Sequence, residues 1–283
     1  MKSKLFFNNR PIMGKIIRII DECKDTKTFL ISLTEKIPKI KAGQFVMLWV
    51  PGVDEFPIGV AGYEDNILEL CVAKVGEGTE ALFNKKEGDL LGIRGFYGKG
   101  FTVHKDSHAL IIGGGFGMTP LKLLITQMIS KGFDKEIHVF EGARTKDRLL
   151  YYGWLRELHD KGKIIFHVCT DDGSAGYKGF PTIDLEKYLK ETQELCAIYS
   201  AGPEKMMKII FQIGKQYSHV KDIQMSLADR HMRCGYGICG SCVLDPVGLR
   251  VCVDGPVFNA QQLEKIEDFG KYKRLPSGAK ELI

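Results

Sequence analysis

No stretch of this chain approaches the ~18 consecutive apolar residues that a membrane helix needs. The opening "MKSKLFFNNRPIMGKIIRII" is basic but has neither a long apolar run nor a small-residue cleavage site, so a soluble, cytoplasmic protein is expected. Charge of one sign is also scarce. The formal net charge is +5 over 283 residues, with no dense Lys/Arg block, and nucleic acid is not an expected partner. The seven histidines show no metal-binding spacing. No Ser–His–Asp set or paired-carboxylate arrangement points to hydrolysis, and no internal repeat or low-complexity tract is present. Eight cysteines in a chain of this length do not make a disulfide scaffold.

What is present is uneven. Cys23, Cys71, Cys169 and Cys196 lie scattered in apolar stretches and read as buried core thiols. The other four crowd together late in the chain, in "RCGYGICGSC" and "RVCVDGPVF", as Cys234-x4-Cys239-x2-Cys242-x9-Cys252. Structural zinc sites usually pair two short cysteine knuckles, and the second knuckle is missing here. The spacing is that of a plant-type [2Fe–2S] cluster, with zinc or plain thiols as the alternatives. A loop wrapped round a cluster turns its amides inward, and Gly235, Gly237 and Gly240 permit the positive φ this demands.

A one-electron carrier needs a donor. "HALIIGGGFGMTPLKLLITQMI" reads as a strand from His108, a turn of Gly113, Gly114, Gly115 and Gly117, and a helix with Pro120 in its first turn. Such a turn brings backbone close to a pyrophosphate at a helix N-terminus. It departs from G-x-G-x-x-G at Met118, and an ordinary tight turn is the alternative. The segments that follow alternate as an α/β unit does: "KEIHVFEGART" is a strand, with Glu141 an exposed polar terminus, and "KDRLLYYGWLRELHDKG" an amphipathic helix. Next come the strand "KIIFHVC", the helix "PTIDLEKYLKE" and the strand–turn–helix "CAIYSAGPEKMMKIIFQIGKQY". Thr170, Asp171 and Asp172 follow a strand, and Asp172–Gly173 is also a good plain turn. The N-terminal part is different. It consists of short, partly alternating β segments punctuated by turns, up to and including "VAKVGEGTEALF" and "GDLLGIRGFYGKGF", at intervals typical of a barrel.

In this order, "VGEGTEAL", "GKGF", "IIGGGFGMTPL", "EGARTKDRLL", "TDDGSAGYKGF", "YSAGPEKMM" and "CGYGICGSCVL…CVDGPVF" resemble flavin-dependent reductases of the ferredoxin-reductase superfamily. Within it the chain resembles the electron-transfer subunits of heteromeric, NAD-linked dihydroorotate dehydrogenases, over nearly its whole length. Electron-transfer subunits of sulfhydrogenases and sulfite reductases, and the small subunit of the NADH-dependent ferredoxin:NADP oxidoreductase, share the layout and are the alternatives. The resemblance implies three parts. They are an antiparallel FAD-binding β barrel over residues 1–104, a parallel-sheet NAD-binding α/β domain over 105–222, and a [2Fe–2S] module with a C-terminal tail over 223–283. It implies FAD at Phe56, Pro57, Ile58, Gly59, Cys71, Val72, Ala73, Gly78 and Thr79. It implies NAD(H) at the glycine turn, at Thr170, Asp171 and Asp172, where two carboxylates would repel a 2′-phosphate, and at Gly202 and Pro203. The cluster ligands are Cys234, Cys239, Cys242 and Cys252. The implied activity is an NAD(P)H-linked flavin and iron–sulfur oxidoreductase of pyrimidine biosynthesis. It would pass electrons to or from a flavin-containing catalytic subunit, as a heterotetramer.

The chain also departs from that pattern. Phe56 stands where the family carries an Arg for the FAD phosphate, and Gly59 where it carries a Ser that hydrogen-bonds flavin N5. Ala73, next to Lys74, replaces a further Arg, and Ala201 a Cys near the nicotinamide. No stretch looks like an orotate site, so the final substrate is expected on another polypeptide. Readings of another class are a free-standing diaphorase, a flavin-less cluster scaffold and a zinc-binding interaction module.

Overall fold

A computed structural model describes residues 10–283. The first nine residues of the expected barrel segment therefore lie outside the described residues. Strands β1 (Ile12–Cys23), β2 (Thr26–Leu33), β3 (Phe45–Val50), β4 (Asp54–Glu64), β5 (Ile67–Ala73) and β6 (Leu90–Tyr97) close a barrel in the order β1-β2-β5-β4-β3-β6. Every pairing is antiparallel, and β6 returns to β1 through Ile12↔Ile93 and Lys15↔Leu90. Alternation along the strands sends Phe29, Ile31, Val46, Leu48, Leu68, Leu70, Leu91 and Ile93 inward, each essentially without solvent exposure.

One piece of the expected β texture is a helix instead, α1 (Glu77–Phe83). Its cause is local. The Thr79 hydroxyl accepts from the Val75 and Gly76 amides at 2.9 and 3.0 Å and donates to the Gly76 carbonyl at 2.8 Å, which closes the first turn.

The second layer is a sheet of β7 (His108–Gly114), β8 (Ile137–Ala143), β9 (Ile165–Thr170), β10 (Tyr177–Lys178), β11 (Cys196–Ala201), β12 (Val220–Ser226) and β13 (Val257–Asn259). Its order is β10-β9-β8-β7-β11-β12-β13, parallel except for β13. Helices α2 (Met118–Ser130), α3 (Tyr152–Asp160), α4 (Pro181–Glu191) and α5 (Glu204–Gly214) connect the strands. Strands covered on both faces read as apolar runs, as in "ALII" and "CAIYSA". The order runs outward in both directions from β7 and β11, so the chain has a topological switch point between their C-terminal ends.

Two expectations fail here for one reason. Glu141, on the inner strand β8, is fully buried rather than an exposed terminus. The helix expected from Lys146 onward is a single 3-10 turn over Lys146–Arg148 and an α-helix only from Tyr152, because Leu149–Tyr151 leaves the helical path: Leu149 and Leu150 are buried, Tyr151 has φ +63°, and the Leu150 amide donates to Glu141 Oε1 at 2.7 Å.

Helix α2 joins the layers. Gln127 donates to the Ile40 carbonyl at 2.8 Å and accepts from the Ala42 amide at 3.3 Å, and Lys122 pairs with Glu69 of β5. The C-terminal part adds α6 (Val251–Asp254), α7 (Ala260–Lys265), β14 (Tyr272–Arg274) and β15 (Lys280–Leu282). β12 runs through residues 222 and 223, and β13 completes the same sheet. Among the described residues no helix is long and apolar enough to cross a membrane.

Candidate functional site

A cleft of about 1570 Å³ opens between the barrel and the C-terminal ends of the parallel strands, at the switch point. One wall is barrel: Phe56, Pro57, Ile58 and Gly59 of β4, Val72 and Ala73 of β5, and Gly78 and Thr79 of α1. The other wall is α/β: Gly114, Gly115 and Gly117, then Asp171, then Gly202 and Pro203. The fold thus brings most of the residues picked from the sequence to one place. Of those picked for flavin and dinucleotide, four are not on the cleft. Cys71 is fully buried in the barrel core, and burial pushes its thiol up to about 11. Gly113 and Thr170 are buried within their strands. Asp172 turns away and accepts from the Ser174 amide at 3.0 Å and hydroxyl at 2.6 Å, which leaves Asp171 as the carboxylate on the wall.

The glycines of the turn divide their work. A methyl group at Gly113 would lie 1.9 Å from Met118 Sδ, and one at Gly117 would lie 2.2 Å from the Ala201 carbonyl. These two let β7, α2 and β11 close up. Gly115 has φ +51° and nothing within 4 Å of where a Cβ would sit, so it supplies the bend and leaves the cleft free. On the barrel wall Gly59 is equally open, while a methyl at Gly78 would meet the Phe56 ring at 2.8 Å. Cys23, expected in the core, is half-buried and lines this cleft. Lys74, Arg144, Arg148 and Arg233 line it too.

The four late cysteines come together against the barrel, Cys234, Cys239 and Cys242 from a loop and Cys252 from α6. Gly235, Gly237 and Gly240 have φ of +82°, +85° and +73°, as the sequence demanded. The thiols form two pairs: Cys242 and Cys252 have their sulfurs 3.3 Å apart, and Cys234 pairs with Cys239. A two-iron cluster held by four thiolates needs two per iron, so the donor set fits. Burial opposes ionisation of Cys234, but the Cys239 and Tyr236 amides, the Cys239 thiol and the Ile238 amide outweigh it and bring the thiol down to about 7. The Cys252 thiol is the main cause that brings Cys242 to about 7, and Cys252 is itself pushed far up by Cys242. Turned-in amides that favour thiolate are what an anionic iron–sulfur centre requires.

Two arginines that sequence reasoning passed over hold this loop. Arg94 of β6 grips Glu55 with two bonds, 2.8 and 2.6 Å, and reaches the Cys234 carbonyl at 3.2 Å and the Tyr97 hydroxyl at 3.0 Å. Arg230 is buried between Glu204, at 2.6 and 2.8 Å, and Asp268, at 2.9 Å. Neither belongs to a local motif; apart from Tyr97, three residues from Arg94, their partners lie 26 to 140 residues away. The loop tip is exposed and apolar, with Ile238 at 76 % and Tyr236 at 39 % relative exposure beside the exposed Cys239.

Comparison with known proteins matches two family profiles. The iron-sulfur cluster binding domain of dihydroorotate dehydrogenase B matches residues 229–264, and the oxidoreductase NAD-binding domain matches residues 111–212. A protein of Methanocaldococcus jannaschii named "Probable dihydroorotate dehydrogenase B (NAD(+)), electron transfer subunit" is 40% identical over 271 residues, 96% of this chain and 98% of that protein. Proteins of the same name from Methanothermobacter thermautotrophicus and Pyrococcus furiosus are 38% and 41% identical, over 95% and 90% of this chain and 97% and 92% of theirs. Among solved structures, the NADH-dependent reduced ferredoxin-NADP oxidoreductase superposes with a TM-score of 0.76 at 27% identity, over 90% of this chain and 93% of that one. The Amycolatopsis cytochrome P450 reductase GcoB shares the fold, with a TM-score of 0.64 at 23% identity over 75% of this chain and 67% of its own.

Proposed function

The chain belongs to the family of dihydroorotate dehydrogenase B (NAD(+)) electron transfer subunits, and from that membership we propose that it passes electrons between NAD(H), FAD and a [2Fe–2S] cluster, to or from a flavin-containing dihydroorotate dehydrogenase catalytic subunit. The observation that supports this reading is one cleft walled by both the barrel and the glycine turn, with the four-thiol loop packed on the same barrel through Arg94. The chemistry supplied by the bound groups is hydride acceptance by flavin and single-electron transfer by the cluster.

In this reading the backbone of Phe56 to Gly59, with Val72, Ala73, Gly78 and Thr79, cradles the flavin; Cys71 sends no side chain to the cleft. The family's arginine is absent at Phe56, and Lys74, Arg144 and Arg148 are among the cations on the walls that can answer a phosphate. The glycine turn at the start of α2, with Gly202 and Pro203, receives the dinucleotide. Asp171 faces the ribose side and disfavours a 2′-phosphate, so NAD is preferred to NADP. Cys234, Cys239, Cys242 and Cys252 hold the cluster, and the exposed tip around Ile238 is the face where the partner docks. A three-part division into barrel, α/β domain and cluster module, a cytoplasmic location and a heterotetramer complete the proposal.

The test is anaerobic co-expression with a dihydroorotate dehydrogenase catalytic subunit. Iron, acid-labile sulfide and flavin are measured together with NAD+-dependent dihydroorotate oxidation. The expected result is a complex in which Ser at any one of the four cysteines removes the cluster and the NAD+-linked rate, while the catalytic subunit still serves an artificial acceptor. Stoichiometric zinc without sulfide, or recovery only as a partner-free NADH oxidase, overturns the reading.

A further inference from the structure

The far end of the parallel sheet carries a second donor set. His108 opens β7, Glu136 directly precedes β8, and His138 is the second residue of β8. The parallel register Ala109↔Ile137 and Leu110↔His138 sets His108 beside Glu136, and the two-residue period of β8 puts Glu136 and His138 on one face. The sequence showed no metal spacing because the third donor comes from another strand.

The geometry is that of a ligand set. Glu136 Oε2 lies 3.2 Å from His108 Nδ1 and 3.0 Å from His138 Nε2, and the three donor atoms all lie within 4.8 Å of one another. A tetrahedral ion with bonds of 2.0–2.1 Å holds its ligand atoms about 3.4 Å apart. His108 Nδ1 is buried and makes no hydrogen bond; its approach to Glu136 is close but misaligned. A buried ring nitrogen with no partner is costly, and a cation between it and the carboxylate removes the cost. The outer shell is also built. His138 Nδ1 lies 3.3 Å from His167 Nε2, and the His138 ring is held 4.2 Å from that of Tyr188. With Nδ1–H donated to His167, Nε2 presents its lone pair to the ion. Glu136 is 54 % exposed, so a fourth position opens to water.

We infer that His108, Glu136 and His138 form a divalent transition-metal site of the zinc class. Two imidazoles and one carboxylate select such an ion over magnesium or calcium, which favour all-oxygen shells. The strands run from this site to the cleft, so the two are about 15 Å apart along β8. The ion is therefore a staple on the N-terminal edge of the sheet, where it ties β7 to β8, and not an electron carrier.

The experiment uses the protein with its iron–sulfur centre intact and Zn²⁺ alone as the probe. Equilibrium dialysis gives zinc per chain, iron and sulfide are measured on the same sample, and the zinc K-edge spectrum reads the ligands. The expected result is one zinc per chain at micromolar Zn²⁺, unchanged iron and sulfide, and a nitrogen/oxygen shell without sulfur. The exposed change Glu136→Gln and, separately, His108→Gln should each weaken binding tenfold or more. His167→Phe should weaken it less, since it acts on the orientation of His138. A sulfur shell, no uptake at micromolar Zn²⁺, or affinity unaltered in Glu136→Gln and His108→Gln overturns the inference.

Discussion

Glu141 is a carboxyl with no exposure, one amide donor from Leu150, and an Oε2 that finds no partner among the described residues. Burial pushes it up to about 8 from the ordinary 4.5. Below about pH 4.5 the group is neutral in both folded and unfolded chains. Between 4.5 and about 8 only the unfolded chain gives up its proton, so stability falls as pH rises, and the fall ends above about 8. Integrated over that window the loss is on the order of 5 kcal/mol. Glu141→Gln mimics the neutral acid, so its urea midpoint relative to the parent should rise steadily from pH 5 to pH 8. A difference that stays flat with pH would refute the assignment. At the same scale, Gly59 has open space where a Cβ would sit and faces the cleft. Gly59→Ser should fit without strain, raise the flavin retained after purification, and speed flavin reduction by NADH about tenfold or more, as a donor at a developing charge does. Phe56→Arg lies close enough to couple, so the double variant must be compared with both singles. Parent protein that already holds stoichiometric flavin, reduced as fast as in Gly59→Ser, would show that backbone alone suffices.

At the scale of elements, what could be read depended on whether the signal was local. Helix α4 was legible to its boundaries because Pro181 opens it and Leu185 and Leu189 repeat at helical spacing. The positive φ of the cluster glycines was legible because the chemistry itself demands it. Helix α1 was not, since seven residues are too few for a period to stand out from neighbouring strands. Nor was the break before α3, where helical spacing in "LLYY" gave way to the burial of Glu141. Cleft residues came out of motif order, whereas Arg94 and Arg230 carry no motif and gain meaning only from distant partners. The cluster loop offers a test within one element. A methyl at Gly237 would meet Val253 at 2.6 Å and Arg250 at 3.0 Å, whereas one at Gly240 meets nothing within 4 Å. Both have positive φ, so each alanine costs about 1–2 kcal/mol of backbone strain, but only Gly237→Ala adds a collision. It should lose iron and sulfide far more readily than Gly240→Ala; equal loss in the two would mean that backbone strain alone governs the loop.

At the scale of the molecule, the cluster segment has two anchors of different kinds. Arg94, itself nearly buried, ties it to the barrel from a pocket whose Glu55 is partly exposed, and also reaches the Cys234 carbonyl. Arg230, Glu204 and Asp268 tie the residues flanking it to α5 from a buried one, with side-chain exposures of 6%, 4% and 1%. Glu204 also accepts from the Gly270 amide at 3.1 Å, so one carboxylate fixes chain on both sides of the four cysteines. Removing one member of such a triad strands a buried charge, which costs about 3–5 kcal/mol, whereas deleting an exposed pair costs about 0–1 kcal/mol. Glu204→Gln should therefore lower the melting temperature by roughly 6 °C or more, and Lys161→Ala, at an exposed pair with Glu157, should leave it nearly unmoved. The order of events matters more than the midpoint. If the triad is what joins the cluster segment to the α/β layer, visible bleaching in Glu204→Gln should begin before far-UV ellipticity is lost, while in the parent protein the two coincide. Coincident loss in both proteins, with the midpoint lowered, would mean that the triad stabilises the whole fold and that β13 and Arg94 are enough to keep the cluster segment in place.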